Sequence, residues 1–442
     1  MSKIKRIAGF FKGSYLNLIP STYRQDASEL TTLYKWLLIG LLIRLAFMPF
    51  TVYYPDLLAL YWRSSWIAYQ GRVHTIGGGD LIIHFFHAFF LWIFKPLMPY
   101  FDTILNDPKM GPAATYRMFQ TFGMHPYVFR TLFLFKVPYL IFDLGCAFLF
   151  LHLFKDRKKG SAAFKFWMVN PIVIFATYIA ARYESVVIFF VLLSLYFAKN
   201  NQWRKSALCL GGGIIIKFYP LFFLPLFIIL RGKKWLKSLE FAFLAFIPYA
   251  FLLFLAHSFQ RAGEVVGVVR IYNVDHLLRM NFSLVGLDVI FVFVAAYMVI
   301  LLSLATYSEY SYEKLWKSMF VVMLLLFATC HFHVHYFMWL IPLLTLQVAE
   351  DKRFTRLFIV QVLCFVVYSW QWNRHFFGYL FTPLNFPYFA WGVPNPLDIV
   401  ARFYSYTRTL GIARSIFSAV CIWMIYLVVR DAFIKKAKLG EL

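Results

Sequence analysis

The sequence predicts an all-α polytopic membrane protein, and three observations carry that prediction. Of its 442 residues, 61% are hydrophobic and 14% charged, which leaves too little polar surface to cover a soluble fold. Apolar stretches of bilayer-spanning length recur from one end of the chain to the other. Lysine and arginine gather between those stretches, as the positive-inside rule requires. The 53 Phe and 28 Tyr residues suit lipid-facing surfaces and the aromatic belts of a membrane interface.

The net charge of +24 does not indicate nucleic acid, because no basic face stands apart from the membrane segments. The surplus belongs to loops beside anionic headgroups, so the expected partner is membrane lipid. Five scattered cysteines, Cys146, Cys209, Cys330, Cys364 and Cys421, lack any CxxC spacing and read as small core residues.

The basic clusters set the expected threading. They are the N-terminus, KDRKK (155–159), KNNQWRK (199–205), RGKKWLK (231–237), YSYEKLWK (310–317), EDKRFTR (350–356) and RDAFIKKAK (430–438). All must share one side, taken as cytosolic, with both termini there. After a basic lead-in without a visible cleavable signal peptide, the first span is expected at 33–53. The run DLIIHFFHAFFLWIF (80–94) holds His84 and His87. As a span it would deliver KDRKK to the wrong side, so it is expected to lie in the outer interface. Residues 54–127 then form one large external loop with interfacial helices.

Core spans are expected over 128–349. Residues 206–230 lie between two basic clusters and should enter and return on one side, as a hairpin broken at Phe218-Tyr219-Pro220. A second external loop follows at 260–282 and a third at 372–410, the latter between the C-terminal spans of 350–442. Counting the hairpin arms gives about 10–12 membrane segments in a single domain covering the whole chain.

On this threading the unusual polar groups collect near the external face. They include Asp56 at the exit of the first span, Arg182 and Glu184 in a turn, and Lys217 in the apolar run GGGIIIKFYPLFFLPL (211–226). Arg279 follows in the second loop, and His331, His333 and His335 in HFHVHY. Such charges suit a water-filled mouth of a helix bundle. Bland readings stand beside each. Asp56 could be a solvated helix-exit acid, Glu184 a structural partner of Arg182, and Lys136 and Asp143 partners of each other. The i, i+2, i+4 histidines lack a companion motif such as HExxH, so no metal is expected. Lys217 has no acid within helical reach. The three glycines at 211–213 lack a GK[ST] ending, so they are packing residues rather than a phosphate loop.

The order of motifs resembles a known superfamily. FKVPYLIFDLGCAFLF (135–150), FWMVNPIVIFATYIAARYESVVIFFVLLSLYFAK (166–199) and SALCLGGGIIIKFYPLFFLPLFIILRGKKW (206–235) look like the core of the GT-C glycosyltransferases. They resemble in particular polyprenyl-phosphate-mannose mannosyltransferases and enzymes related to GPI mannosyltransferase I. YNVDHLLRMNFSLVGL (272–287) and HVHYFMWLIPLL (333–344) are similar to later segments of the same enzymes. The turn departs from the pattern, with Arg182-Tyr183-Glu184 where Gln-x-Asp is common, and the first loop offers one acid, Asp56.

The resemblance implies a GT-C-like bundle with inverting transfer of a hexose, most simply mannose, from a polyprenyl-phosphate-sugar donor. The acceptor would be a lipid-linked glycan, a glycolipid or a protein at the outer or luminal face of a cell or endoplasmic reticulum membrane. It also implies Asp56 as the catalytic acid/base. Lys217, Arg182, Glu184, His333, His335 and, more remotely, Arg279 would contact substrate, with no cofactor beyond the donor. The rival class is a multi-pass transporter or lipid flippase, which would show midplane polar groups and inverted repeats.

Overall fold

A computed structural model describes residues 18–75, 78–105, 116–231, 235–263, 265–266, 277–283, 288–307, 310–372 and 378–438. Asn273, Asp275 and His276 of the second expected loop lie outside them, as do the first 17 residues.

The first helix, α1 (Ala27–Phe47), begins where Asp26 accepts the amides of Ser28 (3.1 Å) and Glu29 (3.3 Å) and so satisfies donors the helix leaves open. It therefore starts and ends about six residues before the expected span, and Pro49, lacking an N–H, cannot extend it. Two helices of the first loop follow, α2 (Tyr54–Ser65) and α3 (Gly78–Phe94). They pack on each other, and α3 also meets the long helix α4 (Val128–Leu153).

The chain then bends 42° from α5 (Arg157–Met168) into α6 (Pro171–Ile174) and a π-turn, Phe175–Ile179. Asn170 caps α6 by accepting the amides of Ile172 (2.9 Å) and Val173 (3.3 Å), and Pro171 fills the first helical position, where no N–H is needed. Next come α7 (Glu184–Lys199), α8 (Trp203–Ile216), α9 (Leu224–Leu230) and α10 (Trp235–Arg261). The last group comprises α11 (Val292–Tyr307), α12 (Tyr312–Thr329), α13 (Ile341–Glu350), α14 (Arg353–Ser369) and α15 (Tyr406–Lys438).

Among the described residues, five helices are individually long and apolar enough to cross a membrane: α1, α4, α10, α14 and α15. A sixth arises if α5, α6 and the π-turn form one bent span. Several other apolar helices are shorter than the ~20 residues that cross a bilayer alone, because prolines and turns interrupt them at Pro220, Pro225 and Pro342. The fold is that of an all-α polytopic membrane protein. Two short strand pairs are all the sheet the described residues contain, and one of them, His74–Thr75 with Val265–Val266, joins the first loop to the second.

A buried polar network ties the core together. Arg44 on α1 donates Nε to Asp143 on α4 at 2.5 Å and Nη1 to the carbonyls of Gly40 (3.0 Å) and Met168 (2.6 Å). Asp143 also accepts from Tyr178 (2.5 Å) and Trp167 (2.7 Å). The Lys136–Asp143 pairing suggested by sequence is not formed. Seven residues separate them by about 10 Å along a helix, and Lys136 instead donates to the carbonyls of Thr51 and Tyr178. A fully buried lysine thus finds oxygens where α1 ends and the π-turn passes, consistent with the need to hydrogen-bond a buried polar group.

Candidate active site

Three chain breaks bring the site together. The first is the start of α2, where Tyr54 and Pro55 open the helix and Asp56 sits in its first turn, a position the helix dipole favours for an acid. The second is the turn after the π-helix. Ala181 adopts a left-handed conformation (φ 56°), uncommon for a residue with a Cβ, and the Arg182 amide bonds back to Ala176 (2.9 Å). This turn presents Arg182, Tyr183 and Glu184 in succession before α7. The third is the end of α8, where Lys217 is extended (φ −144°, ψ 148°) and Pro220 follows. A 3-10 segment, Val334–Trp339, completes the wall with His335, Tyr336 and Trp339.

The charges form two coupled groups. Nearer the surface, Asp56 is ion-paired with Arg182, with side chains 37% and 11% exposed. Deeper, Glu184 is fully buried. Its Oε1 lies 3.4 Å from Lys217 Nζ and 3.8 Å from His335 Nε2, and its Oε2 accepts the Trp339 indole at 2.7 Å. The expected Glu184–Arg182 pair is therefore replaced: Arg182 turns outward to Asp56, and Glu184 inward to Lys217. Lys217, without an acid in its own helix, finds one on α7.

Aromatic rings hold both cations. Tyr183 lies beneath Lys217 (4.7 Å to the ring centre) and Arg182 (5.6 Å), and Tyr336 beneath Lys217 (5.7 Å). Tyr336, Trp339 and Tyr219 form a stack with centroid spacings of 4.0 and 4.5 Å. Such faces attract cations and also suit the apolar faces of a sugar ring.

Several polar atoms are buried yet make no hydrogen bond among the described residues: Arg182 Nε, Glu184 Oε1, His335 Nε2 and the Tyr219 hydroxyl. Buried polar groups are ordinarily satisfied, so this concentration at one place suits a polar ligand. Asp56, Arg182, Glu184, Lys217 and His335 thus converge. His333 adjoins them through its ring, stacked on His335 at 5.9 Å and beside Trp372 at 5.6 Å. Arg279 is exposed beside strand Asn281–Ser283 and joins none of these ion pairs. No group of three or more metal-ligating side chains occurs among the described residues.

Tyr183, Tyr336 and Trp339 join the site as aromatic walls, a role that the pattern of charges does not reveal. Trp339 carried a faint signal, four residues after His335 in a segment that breaks before Pro342. His84 and His87 prove to face protein. His84 meets Ser64 (3.2 Å), while His87 contacts the Ile83 carbonyl (2.6 Å) and the Tyr139 hydroxyl (2.7 Å). The third loop also reaches the site: Val52 donates to the Leu380 carbonyl (2.9 Å), and the hydroxyls of Thr382 and Tyr54 bond at 2.8 Å, two residues before Asp56.

Among curated proteins, GPI mannosyltransferase 1 of Eremothecium gossypii is 24% identical to this chain over 181 residues, 40% of this chain and 43% of that protein. The chain therefore spans less than half the length of that relative. No family model matches the chain, and no solved structure matches it. Fold and comparison together describe a polytopic all-α membrane protein with partial similarity to a GPI mannosyltransferase.

Proposed function

We propose that this protein is an integral membrane glycosyltransferase that moves a hexose, most simply mannose, from a polyprenyl-phosphate carrier to a hydroxyl of a lipid-linked glycan, glycolipid or protein. The observation that carries this reading is the convergence of Asp56 with two ring-backed cations, Arg182 and Lys217, at one place in the helix bundle. The partial similarity to a mannosyltransferase supports it.

In this mechanism the acceptor oxygen attacks the anomeric carbon from the face opposite the phosphate. The new C–O bond forms as the bond to phosphate oxygen breaks, inverting the configuration. Asp56 takes the acceptor's proton, and the departing phosphate keeps the bonding pair. Arg182 and Lys217, both largely buried, meet that developing charge where solvent screens it little. Glu184 holds Lys217 in place, and His335 with Trp339 closes the inner wall. The pairing of Asp56 with Arg182 has a mechanistic consequence. A phosphate that draws Arg182 toward itself releases the carboxylate to act as base, so donor binding precedes acceptor activation.

Asp56→Asn tests the reading. With purified protein, polyprenyl-phosphate mannose and a panel of glycolipid and glycan acceptors, transfer is expected to fall at least about 100-fold, while donor binding is retained. Transfer at the wild-type rate in the variant overturns the assignment.

A further inference from the structure

A second polar site lies at the other end of α8. Where the turn after α7 meets the end of α9 and the start of α10, a cleft of about 370 Å³ is lined by Asn201, Trp203, Arg204, Lys205, Arg231 and Glu240, among others. Asn201 makes the tight turn with a left-handed backbone (φ 57°). Glu240 divides its carboxylate between Arg204 Nε (2.7 Å) and Arg231 Nη2 (2.9 Å). Arg231 is nearly buried, 8% exposed, and lies against the rings of Trp203 and Phe241, each 5.8 Å from its guanidinium carbon.

Charge and surroundings define what fits. Arg204, Lys205 and Arg231 line the cleft with one carboxylate, Glu240, which is already shared by the two guanidinium groups, so the cleft keeps a net positive charge. Arg204 engages Glu240 through Nε and is 79% exposed, which puts its terminal nitrogens at the mouth. Lys205 stands beside it, its ammonium 5.5 Å from the Phe197 ring. The neighbouring surface is apolar and open: Trp235, Leu236, Leu239 and Phe243 of α10 are 68%, 63%, 55% and 71% exposed. They belong to a helix long and apolar enough to span a bilayer, so this rim faces acyl chains. A cationic cleft with a lipid-facing rim suits an anion that carries its own tails. A zwitterionic headgroup would bring an ammonium beside Lys205 and Arg204, where no free carboxylate receives it.

We propose that this cleft binds the phosphate of an anionic phospholipid, with the acyl chains along α10. It is separate from the candidate active site, since the 14 residues of α8 place the two ends about 21 Å apart.

Native mass spectrometry of the full-length protein released from detergent tests this with three probes: phosphatidylglycerol, phosphatidylcholine and water-soluble glycerol 1-phosphate. Wild type is compared with Arg204→Gln/Lys205→Gln and with Lys158→Gln/Lys352→Gln, a control pair of exposed lysines in the first turn of α5 and in the turn before α14, neither of which lines the cleft. Wild type should retain phosphatidylglycerol over phosphatidylcholine. The cleft variant should lose that retention roughly thirtyfold, and the control should keep it. Equal retention of the two lipids overturns the proposal, as does equal loss in the control. Displacement by glycerol 1-phosphate at equal concentration overturns the lipid assignment in favour of a free phosphate site.

Discussion

At the scale of single residues, Arg182 and Lys217 each answer a carboxylate from another segment of the chain, Asp56 and Glu184. Asp56, Arg182, Glu184 and Lys217 stand out because each interrupts or borders an apolar run, where a charge is costly. Who pairs with whom depends on contacts between distant segments, such as Arg44 with Asp143, 99 positions apart. Apolar periodicity carries no information about such contacts, so neighbours in sequence were natural and wrong partners: Lys136 for Asp143, and Arg182 for Glu184. The Arg44–Asp143 pair has a measurable consequence. Arg44→Met would leave a fully buried carboxylate facing only Tyr178 and Trp167. Removing one partner of a buried pair costs about 3–5 kcal/mol. The variant should unfold at markedly lower temperature in detergent, and an unchanged midpoint would show that Asp143 needs no counter-charge.

At the scale of elements, breaks were legible but their geometry was not. Phe218-Tyr219-Pro220 marked the break of a hairpin, and α8 ends just before it at Ile216 with Lys217 extended, while the glycines of 211–213 lie within the helix. The glycines act unequally. A Cβ on Gly211 would stand 2.2 Å from the Ala245 carbonyl oxygen and 3.0 Å from Pro248, so α8 and α10 cross where only glycine fits. A Cβ on Gly212 would meet the Phe190 ring at 3.1 Å, a side chain able to shift. Small residues at helix crossings serve this close approach in membranes. Gly211→Val should therefore destabilise the protein by about 1–3 kcal/mol and displace Lys217, whereas Gly212→Ala should be nearly neutral. Thermal unfolding of the two variants side by side checks this; equal effects would mean the crossing is looser than it looks.

At the scale of the whole molecule, the polar features separate into two ends. One end gathers Asp56, Arg182 and the loops that touch them; the other holds the basic loops, including Arg204 and Arg231 joined through Glu240. The ends of α8 and α9 that flank the 206–230 segment meet at this second end, so the segment leaves and returns on one side of the bundle. On the proposed threading that side is cytosolic and Asp56 lies opposite, which would suit a carrier lipid presented from the far leaflet. Four of the five cysteines are buried and Cys209 is partly buried, so added cysteines can be read against a low background. Arg72→Cys, on an exposed part of the first loop, and Lys158→Cys, exposed in the first turn of α5, mark the two ends. In sealed, oriented vesicles an impermeant maleimide should label position 72 from outside and position 158 only after permeabilisation. Labelling of both from one side would place the two ends on the same face of the membrane and refute the threading on which the far-leaflet donor depends.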